Sequence, residues 1–185
     1  MKLNKLTVKD QKLFNKYLAF ASHELAAFSF ANTCIWRVLY DIGWVVIENS
    51  LCIFFRDKIG CFEYLPPLAK EKQPQVLKQA FAVMDNINKN KDISRVENIQ
   101  EEDLDYYRAL GYLCHEKYPD YLCSRDDLSL FTGNKFKSQR ASYNYFIKHY
   151  DFEWGKLKLT DKDDCLSLFN SWAASRETQS SGGLY

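Results

Sequence analysis

Glycine is scarce and placed where it cannot cradle a phosphate. Seven glycines stand among 185 residues, and none lies between Cys61 and Leu110, the stretch that joins strands to helices. A Walker loop or a dinucleotide fingerprint needs closely spaced glycines at such a junction, so both are excluded there. Long apolar runs are missing too: Trp44 to Phe55 is interrupted by Glu48, Asn49 and Ser50, and the opening MKLNKLTVKD has no signal-peptide core. The expectation is a cytoplasmic chain without a transmembrane segment. Charge of one sign is also lacking, because 25 Lys and Arg face 24 Asp and Glu. A net charge of +1 generates no field over the whole protein, so binding to nucleic acid or an anionic bilayer would have to be local.

The six cysteines (Cys34, Cys52, Cys61, Cys114, Cys123 and Cys165) contain no C-x-x-C pair, which removes the zinc-ribbon and thioredoxin spacings. Free, buried thiols are expected. Cys114, His115 and Cys123 offer three potential ligands at most, and no metal site is expected from them. His23, His115 and His149 have no Ser or Cys nucleophile motif around them, so a hydrolase triad is not indicated.

What is present reads as alternating helices and strands. Leu13, Phe14, Tyr17 and Leu18 recur at helical spacing between Asp10 and Phe20, and Ser29 is placed to cap a short helix reaching Arg37. Three strand-like runs follow, at Trp44–Glu48, Leu51–Arg56 and Ile59–Leu65, separated by breaks short enough for hairpins. Pro66 and Pro67 end this meander, and Pro74 suits the first turn of a helix whose stripe is Val76, Leu77, Ala80, Phe81, Met84 and Ile87. A strand is expected at Ser94–Ile99 and a helix at Glu101–Leu110 capped by Gly111, with further strand at Tyr112–His115 and Asp120–Cys123. The crossover through the long helix implies a parallel pair in a mixed sheet. Tyr106, Tyr107, Tyr112, Tyr118 and Tyr121 are expected to cluster in the core.

A second unit is expected to begin near residue 150. Phe152–Leu159 reads as a strand, and Thr160 with Asp163 as a capping box for a helix over Asp161–Ser175 carrying Cys165, Leu166, Phe169, Trp172 and Ala173. The tail RETQSSGGLY is expected to fray.

The segment GNKFKSQRASYNYFIKHY, Gly133 to Tyr150, carries the most distinctive chemistry. As a helix it places Phe136, Tyr143, Phe146, Ile147 and Tyr150 on one face, expected to be core. Lys137, Arg140, Asn144 and Lys148 share the adjoining flank, Lys135 stands opposite, and no acidic residue intervenes. Such a ridge can hold phosphates, with Arg140 able to bind one bidentately. A solvated helix face has the same composition. Glu97, in an expected strand, is the isolated carboxylate that could face either a pocket or solvent.

Two stretches carry a resemblance. Tyr107-Arg108-Ala109-Leu110-Gly111-Tyr112 resembles the closing helix and strand of GNAT acyltransferases. The run KYPDYLCSRDDLSLFTGNKFKSQRASYNYFIKHYDFEW, together with FANTCIWRVLYDIGW and ENSLCIFF, resembles the family related to the C-terminal region of phosphatidylglycerol lysyltransferase. The resemblance implies an α/β (α+β) fold: a GNAT-like mixed sheet with flanking helices in residues 1–130, a basic connecting helix at 131–150, and the truncated start of a second GNAT-like unit at 151–185. It further implies acyl or aminoacyl transfer from an activated ester such as aminoacyl-tRNA to an amine or hydroxyl. Tyr107 matches the position of a general acid. Lys137 and Arg140, with Lys135, Asn144 and Lys148 beside them, match a basic stretch suited to tRNA or an anionic lipid head group. The loop PPLAKEKQPQ has no glycine where acetyl-CoA enzymes keep a pyrophosphate loop, so no cofactor is expected. The other expectation is a non-catalytic module that binds a phosphorylated partner.

Overall fold

The computed structural model describes residues 1–20 and 23–180. It divides into two compact units, 1–122 and 123–185.

The first unit is built on a four-stranded antiparallel sheet in the order β1-β2-β3-β4, with β1 at Asn4–Lys5, β2 at Asp41–Ile47, β3 at Ser50–Arg56 and β4 at Cys61–Glu63. The β2–β3 hairpin turns at Glu48 and Asn49, both at positive φ (45° and 65°). Two such residues match the right-handed twist of the strands they join. β3 is buried along nearly its whole length, because both faces of the sheet are covered. On one face Leu51, Ile53 and Phe55 pack with Phe14 and Phe30, which come from α1 (Gln11–Leu18) and α2 (Phe30–Ile35). On the other, Cys52, Phe54 and Cys61 pack against Val76, Ala80, Val83 and Met84 of α3 (Pro74–Ile87). The expected caps are in place: the Ser29 hydroxyl accepts from the Asn32 amide, and Pro74 opens α3. Within the α3 stripe Val83 is buried, whereas Ile87 is exposed.

α3 ends at Asn88, whose buried amide accepts from the Cys61 N–H at 2.6 Å and donates to the Cys61 carbonyl at 2.8 Å and to Ser94 Oγ at 3.0 Å. This clamp requires Gly60. A Cβ there would lie 2.7 Å from Asn88 Oδ1 and 2.8 Å from Ile93 Cγ2.

The α/β class agrees with the sequence reading, but four expected strands of the first unit shrink or vanish, and of Ile59–Leu65 only Cys61–Glu63 remains. Ser94–Ile99 contributes one isolated parallel bridge, Val96 to Glu63. Asn98 then takes a left-handed backbone (φ 56°), where its side chain bonds the Tyr64 carbonyl, and that ends the extended run. Tyr112–His115 and Asp120–Cys123 form no strand, since neither segment finds a ladder partner. The tyrosine cluster forms only in part: Tyr107 of α4 (Leu104–Ala109) is buried with its ring 5.2 Å from that of Tyr106, Tyr112 stacks on Phe81, and Tyr118 and Tyr121 are fully exposed.

The second unit contains α5 (Arg125–Leu130), α6 (Lys137–His149) and α7 (Lys162–Ser180). None of its described side chains is buried. The α6 face expected to be core is therefore corrected: Phe136 is half-buried, and Tyr143, Phe146, Ile147 and Tyr150 are exposed, although Phe146 touches Phe152 and Tyr150. Phe152–Leu159 is irregular, because no strand stands among the unit's described residues to pair with it. At the start of α7 the expected box is replaced by the Asp161 carboxylate, which accepts the Lys158 amide at 2.8 Å. The helix continues through Arg176 to Ser180, where fraying was expected. Residues 181–185 of the tail lie outside the described residues.

Candidate functional site

Strand alternation assembles an acidic and phenolic cluster beneath α3. In β4, Cys61 and Glu63 share a face, and Glu63 sits opposite Phe54 with Cys52 one pleat away on the same side. Glu63 is completely buried, and neither carboxylate oxygen has a hydrogen-bond partner. Burial pushes its pKa up to about 8, and the neighbouring Cys52 thiol offsets this only in part. A buried carboxyl with no cation beside it and only a weak thiol donor avoids the cost of ionisation by keeping its proton. Burial also raises both thiols of this face, Cys52 strongly and Cys61 to about 11, so neither supplies a ready thiolate.

Tyr107 comes to the same region from α4. Its phenol is raised well above its ordinary value, first by burial and then by the charges of Glu63 and Asp103. Tyr107 lines a narrow cleft with Ser50, Pro67, Leu77, Lys72 and Tyr106. The cleft has room for about 10 Å³, the space of a single water. Lys72 pairs with Asp103 and lies 5.5 Å from the Tyr106 ring centroid. Glu97, which the sequence left able to face either a pocket or solvent, is a structural ion-pair centre. It is held by Arg95 and Lys117, each at 2.6 Å, and these bonds outweigh burial to leave its pKa lowered.

Sequence reasoning passed over Glu63. The signal was present: one charged residue inside Cys61-Phe62-Glu63-Tyr64-Leu65, in phase with Cys61. A run of that kind in a strand covered on both faces leaves a carboxylate no solvated side.

The basic residues separate by role. Arg140 donates to the main-chain oxygens of Phe131 and Gly133, the latter at 2.7 Å, and so closes the C-terminal end of α5. Phe131 is left-handed (φ 47°) and Gly133 is at φ 82°, a turn that aims both carbonyls at α6. Lys135 pairs with Asp127 at 2.7 Å. Lys137, Asn144 and Lys148 are exposed, and neither lysine is ion-paired. All six cysteines are free thiols, with Cys123 and Cys165 exposed. Among the described residues no three His, Cys, Asp or Glu side chains are grouped to hold a metal ion.

An antiparallel meander covered by helices on both faces, followed by a helical unit with a basic ridge, defines an α+β protein with a helical extension. The chain belongs to the family described as phosphatidylglycerol lysyltransferase, C-terminal, whose family model matches residues 19–184. Its fold is similar to the crystal structure of a conserved protein of unknown function from Bacteroides thetaiotaomicron, with a TM-score of 0.83 and 21% identity. That match covers 99% of this chain and 62% of the other, so this chain spans less than two thirds of that protein's length. Comparison with curated proteins gives no match. No helix among the described residues is long and apolar enough to cross a membrane.

Proposed function

We propose that this chain is one part of an aminoacyl-transfer protein of the lysyltransferase kind, acting on aminoacyl-tRNA and an amine or hydroxyl acceptor. The family match over residues 19–184 carries the reading. In it, residues 1–130 form a first GNAT-like unit, 131–150 a basic connecting helix, and 151–185 the opening of a second unit. The acceptor attacks the ester carbonyl and loses its proton to solvent, the carbonyl bond to the ribose oxygen breaks, and that oxygen needs a proton to leave. Tyr107 is suited to donate it, because its phenol is protonated at neutral pH, and solvent then reprotonates the phenolate. For the phosphates of the donor, Lys137, Lys148 and Asn144 are the accessible part of the ridge, with Lys135 and Arg140 beside them.

The test is transfer of labelled lysine from lysyl-tRNA to phosphatidylglycerol vesicles. Tyr107→Phe is expected to depress transfer while the thermal transition holds, and equal activity in that variant removes the general-acid role. A second reading, a non-catalytic module for a phosphorylated partner, is favoured by one observation: the cleft at Tyr107 admits only a water, whereas Lys137 and Lys148 are open to solvent. Salt-dependent tRNA binding without transfer supports it.

A further inference from the structure

Between β4 and α3 the chain passes over the Tyr107 cleft as a strap. Both ends are fixed: Leu68 exchanges two main-chain hydrogen bonds with Leu51 of β3, each at 2.9 Å, and Pro74 opens α3. Between these ends the main-chain groups of residues 69–72 make no hydrogen bond among the described residues, and residues 70–73 are exposed. A segment with so few bonds to the rest of the chain opens at little cost. Two lysine heads hold it. Lys70 lies 5.8 Å from the Phe20 ring centroid, while on the cleft side Lys72 pairs with Asp103 and lies 5.5 Å from the centroid of Tyr106. Both partners of the ion pair reach solvent, and an ion pair so placed is weak.

The strap covers polar groups that have no partners. Glu71, Lys72 and Gln73 form the outer wall of the cleft, and Ser50, Tyr106 and Tyr107 lie beneath. Ser50 and Tyr107 are buried, as is the hydroxyl of Tyr106. None of these three hydroxyls makes a hydrogen bond among the described residues. Buried hydroxyls in a permanently closed core are normally satisfied. Three left unpartnered under a cover pinned by one exposed ion pair mark a surface that the chain uncovers.

We propose that residues 69–73 are a strap that shuts the Tyr107 cleft, with the ion pair of Lys72 and Asp103 as its latch. On release Lys72 leaves the Tyr106 ring, the strap swings between Leu68 and Pro74, and the hydroxyls of Ser50, Tyr106 and Tyr107 meet solvent. The fixed ends serve as hinges, as the terminal residues of mobile loops do. The closed cleft, which holds a single water, is then one of two states of the same site. The proposal concerns access alone, and it stands whether or not Tyr107 acts as an acid.

The experiment is hydroxyl-radical footprinting of the full chain, read residue by residue by tandem mass spectrometry. Tyr64, buried in the core on the opposite face of the sheet, and Tyr118, fully exposed, are the internal references. Lys72→Gln and Asp103→Asn each remove one charge of the latch. Each is expected to raise the oxidation of Tyr107 about two- to fivefold, the span that an exposed ion pair is worth, while Tyr64 keeps its wild-type rate. Together they are expected to open the cleft no further than either alone, because a single pair is lost in all three proteins. Lys72→Arg keeps the pair and is expected to keep wild-type protection. Hydrogen exchange at the Leu51 and Leu68 amides is the folding control and should stay slow, since their bonds belong to the fixed end. Unchanged oxidation of Tyr107 in both single variants would overturn the proposal, as would a rise shared by Tyr64 or faster exchange at Leu51 and Leu68. So would additive effects in the double variant, because Asp103 would then act through α4 and not through Lys72, or loss of protection in Lys72→Arg.

Discussion

Replacing Glu63 by Gln should remove a specific pH dependence of stability. The carboxyl has an ordinary pKa of 4.5 and reaches about 8 in the folded protein. Between those values the folded state holds a proton that the unfolded state has released. Stability from this group is therefore complete below about pH 4.5, declines as pH rises through the window, and levels off above about pH 8. At ~1.4 kcal/mol per pH unit, the gap amounts to on the order of 5 kcal/mol, an upper figure because local opening admits water before the carboxylate ionises in place. Gln keeps the shape and cannot ionise. The assay is urea unfolding of both proteins at several pH values across the window, read by circular dichroism, with hydrogen exchange of the β3 amides as a local report on the first unit. The difference between the two proteins cancels the other titrating groups. It should shift steadily in favour of the Gln variant as pH rises. Parallel stability curves would refute the claim that Glu63 is protonated in the fold.

Asn88→Ala should lower the unfolding midpoint by an amount equivalent to about 2–4 kcal/mol, because it strands both backbone groups of buried Cys61; a shift under about 0.5 kcal/mol would deny the clamp. Ser29→Ala removes the cap of α2 and should cost about 1 kcal/mol in the same assay. Lys137→Glu with Lys148→Glu should flatten the salt dependence of tRNA binding by about two in the log–log slope, and an unchanged slope would take the ridge out of phosphate binding. Arg140→Ala should loosen the second unit even without any nucleic acid, seen as faster hydrogen exchange at α5.

Local signals were the legible part of the fold. Ser29, the Glu48–Asn49 turn, Pro66–Pro67 and Pro74 each act through their own backbone or the next few residues, so they mean the same in a sequence as in a structure. Strand formation is different, because it requires a neighbour with free ladder groups. Tyr112–His115 and Phe152–Leu159 have strand composition and no such neighbour among the described residues. The ridge was legible as charge but not as role. Arg140 looks the same as Lys137 in a helical projection, and only the left-handed Phe131 and the returning chain at Gly133 turn it into a partner for carbonyls. Tyr107 was singled out only through the resemblance of residues 107–112 to a family motif, whereas Glu63 needed the knowledge that both faces of the sheet are covered.

The Arg140 contact has a consequence for how this region can vary. It addresses main-chain oxygens, which every residue carries, so the identity of Thr132 between them is immaterial to the bond. Residue 140, by contrast, must offer two donors spread across a plane, and a lysine ammonium in its place would reach one carbonyl at a time. The loop at 131–133 is thus open to substitution at its middle position, while its two turned-in carbonyls depend on one guanidinium.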